Sequence, residues 1–218
     1  SESFPEDVQA EADAVEQEPA PEEYRGRADR RSLPIVTVDG EDSKDLDDAV
    51  SLHKEGEYYI LGVHIADVTN YVQESSALDV EALKRGTSVY LADRVIPMLP
   101  HTLSNGMCSL NEGEDRLALS CIMKFSPKGE LIDHDICESV IHSNHRMTYT
   151  DVYAIMTGDE DTRNKYSDIV EMIDNMYKLS QFQRGRRHKR GAIDFDFPET
   201  HILIDEGGKV VGLAPYER

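Results

Sequence analysis

Six carboxylates are crowded into ten consecutive residues, 39–48, with Lys44 as the only opposite charge among them. They are Asp39, Glu41, Asp42, Asp45, Asp47 and Asp48. Like charges a few ångströms apart repel each other and resist burial, so such a run either stays in water or holds a cation. Carboxylate oxygens are the ligands that Mg²⁺ prefers, and two such ions about 4 Å apart can stabilise both the attacking and the leaving oxygen of a phosphodiester. The run is therefore a candidate metal site for phosphoryl chemistry, with a solvated acidic loop as the alternative.

Apolar, strand-like sequence flanks the acidic run on both sides. Asp39 ends the segment "IVTV", and "AVSLH" follows Asp48 at once. A chain that folds back between two such strands would bring the four aspartates of the run together at the strand ends. A freely solvated loop does not need apolar strands directly before and after it. Their presence therefore favours the metal site over the solvated loop. An EF-hand loop does not fit, because a count from Asp45 places Ala49 at the fifth position and no glycine at the sixth.

Hydrophobic periodicity predicts the elements that would position the run. Strands are predicted at 35–38, 49–53, 58–65, 116–125 and 135–142, and a terminal hairpin turns at Gly207-Gly208. Helices are predicted around "EDVQAEADAV" in an otherwise linker-like acidic lead, and in "ALDVEALKRG", "YTDVYAIMTG" and residues 166–190. The predicted helix caps are Ser76 and Thr150, and the predicted helix stops are Gly86 and Gly158.

The composition limits which binding partners and which cellular compartment we expect for this protein. The formal net charge of the 218 residues is −20, so on bulk charge nucleic acid is a poor partner unless carboxylates carry metal ions or another domain supplies basic residues. No apolar run approaches the roughly 20 residues of a membrane span, and the N-terminal segment does not resemble a secretory signal. Three widely spaced cysteines, Cys108, Cys121 and Cys137, favour free thiols over a disulfide framework. We therefore expect a cytoplasmic protein with no membrane partner.

Several other polar residues have a plain structural interpretation. His64 lies on an apolar stretch, which favours a packed, hydrogen-bonded histidine over a general base. Asp67 is interpreted as a cap or loop residue. The basic segment "RGRRHKR" at the end of the last predicted helix suits the helix dipole and solvent, with contact to a nucleic-acid backbone as the alternative.

Four long motifs occur in order along the chain: "VTVDGEDSKDLDDAV", "GVHIADVTNYV", "TSVYLADRVIPMLPHTLSNGMCSLNEGEDRLALSCIM" and "RGAIDFDFPE". Together they closely resemble the catalytic (RNB) domain of the ribonuclease II and R family, and within it the bacterial ribonuclease R branch. The resemblance spans roughly residues 25–218. It implies an α+β fold, with a mixed, largely antiparallel β-sheet core wrapped by helices. Residues 1–32 would be an acidic lead segment and 33–218 the N-terminal portion of the RNB domain.

The same resemblance implies a processive 3′-to-5′ exoribonuclease that hydrolyses RNA to nucleoside 5′-monophosphates with two Mg²⁺ ions, for which Mn²⁺ can substitute. The family's aspartate motif matches this chain at four positions, which would hold the metal: Asp39, Asp45, Asp47 and Asp48. Asp45, Asp47 and Tyr90 would be catalytic. Among the four aspartates, loss of Asp47 should reduce turnover the most. Tyr90 and Phe195 would bind the terminal nucleotide, although neighbouring Phe197 is an alternative for the stacking phenylalanine. Without the resemblance, Tyr90 would be interpreted as a core tyrosine and Phe195 as the inner face of a strand.

The implied partner is the single-stranded 3′ end of RNA, and we expect a monomer because nothing in the sequence demands a dimer. The family's domain continues beyond residue 218 with a catalytic arginine, and oligonucleotide-binding barrels flank it, so we expect this chain to be a fragment that lacks them. A site without that arginine is expected to lose orders of magnitude in rate, so the isolated fragment can be inactive. Two alternatives stay open: a non-catalytic RNA-binding or regulatory module with the same fold, and a generic phosphoryl-transfer or calcium-binding domain.

Overall fold

The structure, a computed structural model, describes residues 3–193, 195, 199–205 and 207–216. Its strands are β1 (Ala28–Asp29), β2 (Ile35–Asp39), β3 (Asp48–Glu55), β4 (Tyr58–Ala66), β5 (Val89–Tyr90), β6 (Val95–Ile96), β7 (Asp115–Phe125), β8 (Leu131–Thr148), β9 (Glu199–Ile204) and β10 (Val210–Tyr216). Its α-helices are α1 (Glu6–Asp13), α2 (Ala77–Arg85), α3 (Tyr149–Thr157), α4 (Glu160–Lys165) and α5 (Val170–Lys189). Short 3₁₀ turns form at Pro21–Tyr24 and Val68–Asn70, and a π-helical turn forms at Leu103–Met107.

The main sheet closes on itself through its longest strand. In the described part of the chain its order is β1-β8-β2-β3-β4-β7, and β7 also pairs with β8. Residues 131–142 of β8 pair with β7, whereas residues 143–148 pair with β2. The β1–β8 and β2–β8 pairings are parallel and the others are antiparallel. The α+β fold with a largely antiparallel sheet and packed helices is therefore confirmed.

Alternation along the strands separates two apolar clusters. On β3, Ala49 belongs to a small cluster on one face of the sheet, whereas Leu52 belongs to a larger cluster on the other face. The larger cluster lies under the helices, where Ile155 of α3 and Ile173 of α5 are buried. This packing fixes the register of β3, because a slip of one residue would exchange the two faces. The start of β3, where Asp48 lies, is thereby fixed to the core.

Polar side chains are buried on the face of the sheet that carries Ala49. Nε2 of His64 lies 3.1 Å from Oγ of Ser51, and its Nδ1 lies 2.7 Å from Oγ of Ser120. Ser120 in turn lies 2.5 Å from Oγ of Ser139, and all four side chains are fully or almost fully buried. Burial lowers the pKa of His64 to about 4, so the imidazole is neutral at physiological pH. The interpretation of His64 as a packed, hydrogen-bonded residue is confirmed.

Gly62 has no room for a side chain beside this network. A Cβ on Gly62 would overlap Oγ of Ser51 and approach Nε2 of His64 to 2.7 Å. We expect Gly62→Ala to lower the free energy of unfolding by about 1–3 kcal/mol, because overpacking forces these hydrogen-bonded groups apart. The matched control is Gly185→Ala in α5, where a Cβ meets nothing within 4 Å. The higher helix propensity of alanine should raise the free energy of unfolding of this variant by about 0.5–1 kcal/mol. Chemical denaturation would measure both, and equal effects of the two substitutions would contradict the expectation.

The predicted elements agree with the structure except at some ends. Ser76 caps α2 by accepting a hydrogen bond from the Asp79 amide, and Gly86 follows that helix with positive φ, as predicted. The prediction of Thr150 as the cap of α3 is wrong, because the Thr148 side chain accepts the hydrogen bond from the Asp151 amide instead. The helix predicted from residue 166 begins at Val170, after the separate helix α4. Strand β8 is longer at both ends than the predicted 135–142.

The acidic lead packs on the rest of the domain. Val8 and Ala12 of α1 are buried against Leu78 of α2 and Leu103 of the π-helical turn. Further along, β1 joins the main sheet beside β8. The domain boundary at residue 32 stays a prediction, but these contacts tie the lead to both the helices and the sheet. No helix in the described ranges is long and apolar enough to cross a membrane.

Candidate active site

The acidic run forms the connection between β2 and β3. Asp39 is the last residue of β2, where it pairs in register with Thr148 of β8, and Asp48 is the first residue of β3. Asp39 and Asp45 are partly exposed, whereas Asp47 and Asp48 are exposed. Two of the four predicted metal ligands are therefore mounted on sheet strands, and the other two lie in the loop between them, which we call the acidic loop (residues 40–47).

Buried contacts hold the second half of the acidic loop. Leu46 is 2% exposed, and its backbone N–H donates to Oγ of Ser109 at 3.0 Å. The Ser109 hydroxyl donates to the carbonyl of Lys44 at 3.0 Å, and the Leu110 amide donates to the carbonyl of Leu46 at 2.8 Å. Buried Arg116 holds Ser109 itself, donating from Nε to its carbonyl at 3.0 Å. This half of the loop is anchored to the protein and does not move freely in solvent.

One guanidinium group makes most of the contacts to the first half of the acidic loop. Nη2 of Arg146, on β8, donates to the carbonyls of Gly40, Glu41 and Ser43 at 3.2, 2.7 and 2.9 Å. The loop adds a short turn of its own, in which the Ser43 amide donates to the Gly40 carbonyl at 3.2 Å, and the Thr150 hydroxyl donates to Oε1 of Glu41 at 3.3 Å. Arg146 therefore shapes the segment that links Asp39 to the later aspartates.

Two aspartates of the run, Asp39 and Asp47, have a raised pKa. Partial desolvation, followed by the charges of Asp48 and Asp45, raises the pKa of Asp39, and Arg146 opposes this shift. Desolvation also raises the pKa of Asp47, and the charges of Asp45, Asp48 and Asp39 add to that effect. Such mutual repulsion is the electrostatic condition that a bound cation relieves.

Tyr90 on β5 contacts the acidic loop directly. Its hydroxyl donates to Oδ2 of Asp45 at 2.8 Å, while its side chain remains 66% exposed. This hydrogen bond is the main cause that raises the pKa of Tyr90 to about 12, with burial and the charges of Asp45 and Asp47 contributing. The tyrosine therefore keeps its proton and presents an exposed ring face beside a carboxylate.

A cavity of about 910 Å³ opens between the acidic loop and this tyrosine. Its walls come from the acidic loop, the β5–β6 region, the π-helical turn and the start of α3. Among the lining residues are Asp45, Tyr90, His101, Asn105 and Tyr149. The cavity is large enough for a nucleotide-sized ligand, since small-molecule pockets commonly measure about 300–1,000 Å³.

The donor chemistry of the four aspartates fits a hard divalent cation. They supply only carboxylate oxygens, and desolvation together with their mutual repulsion raises the pKa of Asp39 and Asp47. Among the described residues, however, no three acidic, histidine or cysteine side chains are gathered tightly enough to form a group of metal ligands. The four aspartates are thus close enough to influence one another's charge, but their coordination of a common metal ion stays a prediction.

Phe195 lies between α5 and β9, and its side chain is 71% exposed. Its role in stacking stays a prediction, and the alternative, Phe197, lies outside the described residues. Asp67 is a buried residue at the start of a 3₁₀ turn, where it forms an ion pair with Arg27. The basic segment "RGRRHKR" forms the end of α5, and most of its residues are exposed. Its contact with a nucleic-acid backbone also stays a prediction.

Sequence reasoning missed the residues that hold the acidic loop. Arg146 is 106 positions from Gly40, and Ser109 is 65 positions from Lys44. Neither residue carries a local signal, because each acts only through strand pairings and turns that bring it to the loop. Tyr149 was also missed as a lining residue of the cavity.

The comparisons with known proteins agree with one another. The family model described as "RNB domain" matches residues 27–218. The chain is 48% identical over 217 residues to Ribonuclease R of Thermotoga maritima, covering 99% of this chain and 30% of that protein. It is also 48% identical over 216 residues to Ribonuclease R 1 of Lactococcus lactis, covering 99% of this chain and 26% of that protein.

A solved structure, Mycoplasma genitalium RNase R in complex with ribose methylated single-stranded RNA, is similar to the whole chain. The TM-score is 0.89 and the sequence identity 30%, with 99% of this chain and 34% of that chain covered. The chain thus spans about a quarter to a third of the length of the relatives that it matches.

Proposed function

The chain belongs to the RNB domain family, and on that premise we propose that it is part of a 3′-to-5′ exoribonuclease that releases nucleoside 5′-monophosphates processively. The observation that carries the proposal is the acidic loop beside a cavity of about 910 Å³, where partial desolvation and neighbouring aspartate charges raise the pKa of Asp39 and Asp47. An exposed tyrosine, Tyr90, stands at the same place and donates to Asp45. The substrate would be the single-stranded 3′ end of RNA.

The residues that would hold two Mg²⁺ ions, or Mn²⁺ as a substitute, are Asp39, Asp45, Asp47 and Asp48. Bound there, such ions would supply an activated water and would stabilise charge on the phosphate. The protein's own contribution is to hold the four carboxylates in place at the ends of β2 and β3 and in the loop between them. Without cations, these carboxylates would repel the scissile phosphate of RNA, so hydrolysis at the 3′ end should depend on divalent metal.

Tyr90 would act on the terminal nucleotide. Its hydroxyl is protonated at physiological pH, because its pKa is about 12, and it holds one oxygen of Asp45 in place. Its exposed ring offers a face on which a base can stack, and stacking of this kind contributes about 1–3 kcal/mol per base without selecting a sequence. Phe195 would stack on the 3′-terminal base in the same manner.

The identity of the products tests the proposal. We expect the full-length protein to release nucleoside 5′-monophosphates from the 3′ end of a single-stranded RNA in Mg²⁺, and to release none after chelation. A 5′-labelled RNA shows the direction of attack, and chromatography identifies the released nucleotide. A 3′-phosphate product, or cleavage within the RNA, would contradict the proposed chemistry.

Two other outcomes would favour the alternative functions. RNA that is bound but left intact in Mg²⁺ would favour a non-catalytic RNA-binding module. Equal hydrolysis of unrelated phosphate esters, with no preference for RNA, would favour a generic phosphoryl-transfer domain.

A further inference from the structure

We propose that Arg146 is a positioning residue that pre-orders the acidic loop for metal binding without contacting the metal or RNA itself. The inference rests on the proposed function, because it concerns the same four aspartates. It begins from an asymmetry: apolar burial and Ser109 hold the second half of the loop, whereas a single guanidinium supplies most of the contacts to the first half.

The contacts of Arg146 go to the backbone of the loop and leave its carboxylates available. Nη2 donates to the carbonyls of Gly40, Glu41 and Ser43 at 2.7–3.2 Å. Charge-assisted hydrogen bonds from a planar guanidinium are stronger and more directional than neutral ones. Three carbonyls that share one donor group must face the same point, so the peptide planes between Asp39 and Lys44 are fixed in a tight curve.

Arg146 is mounted on the same part of the sheet as the first aspartate. It pairs in register with Thr37 of β2, two residues before Thr148 pairs with Asp39. Its charge also opposes the raised pKa of Asp39. One side chain therefore sets the path of the loop and offsets part of the negative charge gathered there.

The consequence concerns metal affinity. Without Arg146 all four aspartates remain, but residues 40–43 lose the group that makes most of their contacts, so metal binding must supply more of the ordering. Residues that orient metal ligands typically contribute about 10–100-fold to metal affinity. We expect Arg146→Ala to weaken Mn²⁺ binding by about tenfold or more, and Arg146→Lys to restore part of the loss, because an ammonium keeps the charge but lacks the planar geometry.

The test is to titrate the full-length protein with Mn²⁺ in the absence of RNA. Calorimetry or electron paramagnetic resonance measures the dissociation constant. Arg163→Ala is the matched control, since Arg163 also donates to a backbone carbonyl, that of Ile155, and pairs with Asp174 away from the loop. The control should bind Mn²⁺ like the wild type. Circular dichroism checks folding, and if Arg146→Ala unfolds, Arg146→Lys carries the test, with an expected affinity clearly below that of the wild type.

Two further readouts separate positioning from other roles. RNA affinity measured in chelator should be unchanged by Arg146→Ala, whereas the Mg²⁺ concentration for half-maximal hydrolysis should rise by about the same factor as the Mn²⁺ dissociation constant. Unchanged Mn²⁺ affinity in both Arg146 variants would overturn the inference and leave the proposed function standing. A wild-type protein that binds Mn²⁺ but degrades no RNA would instead overturn the proposed function alone.

Discussion

Asp47→Asn should reduce RNA hydrolysis by the full-length protein by at least about 10²–10³-fold while leaving RNA affinity close to that of the wild type. Removal of one preorganised electrostatic group at a reaction centre commonly costs a factor of this size in turnover. Asparagine has the shape of aspartate but not its charge, so it would be a poor ligand for a hard cation. The backbone carbonyl of residue 47, which accepts from the Ala66 amide at 3.0 Å, is kept in the variant.

The stability of this variant provides a second readout. The pKa of Asp47 is raised by desolvation and by the charges of Asp45, Asp48 and Asp39, so its ionised form is destabilised in the folded protein at neutral pH. A neutral side chain removes that repulsion, and we expect the melting temperature of Asp47→Asn in chelator to equal or exceed that of the wild type. A loss of turnover with such a melting temperature cannot be attributed to unfolding.

Asp42→Asn is the matched control for this prediction. Asp42 lies in the same loop and is exposed, but it is not one of the four predicted metal ligands. It should retain most of the turnover. If Asp47→Asn lost binding and turnover to the same degree, or if both variants lost equal activity, the assignment of Asp47 to the reaction centre would be wrong.

Arg27→Met should lower the free energy of unfolding by about 3–5 kcal/mol, since it leaves a buried carboxylate without its counter-charge. Nη2 of Arg27 lies 2.7 Å from Oδ2 of Asp67, and the two side chains are only 8% and 5% exposed. The same guanidinium donates to Oδ1 of Asn70 at 3.2 Å and to the carbonyl of Glu23 at 3.1 Å. For a domain of this size the loss corresponds to a melting temperature lower by roughly 6–20 °C.

Arg31→Met is the control for the buried pair. Arg31 forms ion pairs with Asp29 and Asp115, but its side chain is 40% exposed. Exposed ion pairs contribute little, commonly about 0–1 kcal/mol, so this variant should melt close to the wild type. Thermal denaturation measures the melting temperatures of both variants. A small decrease for Arg27→Met would contradict the expectation and would mean that Asp67 is solvated or finds another partner when Arg27 is lost.

The sequence alone determined the elements whose signals are local. Short apolar, strand-like segments identified β2, β3, β4 and β7, because runs rich in β-branched and other apolar residues are typical of buried strands. The cap of α2 could be predicted because the N-cap side chain and the amide that it accepts from lie within one turn. The spacing of the aspartates likewise indicated a candidate metal site next to Asp39 before any contact was known.

Local sequence patterns predicted helix starts less well where two suitable start positions lie close together in the chain. Thr148 and Thr150 are both suitable caps for α3, and only the backbone path out of β8 decides that Thr148 takes the position. The apolar periodicity of α5 continues back to Tyr166, but the chain turns there, and the helix begins at Val170. In both cases the choice depends on backbone geometry that residue types do not specify.

Tertiary structure alone decided what holds the candidate site together. Strand β8 pairs with β7 along one part and with β2 along the other, and the register of the second pairing brings Arg146 to the acidic loop. The Tyr90 hydroxyl reaches Asp45 across 45 positions of sequence, and Arg27 reaches Asp67 across 40. The physical reason is that a motif states which groups are present, whereas their distances are set by pairings between segments far apart in the chain.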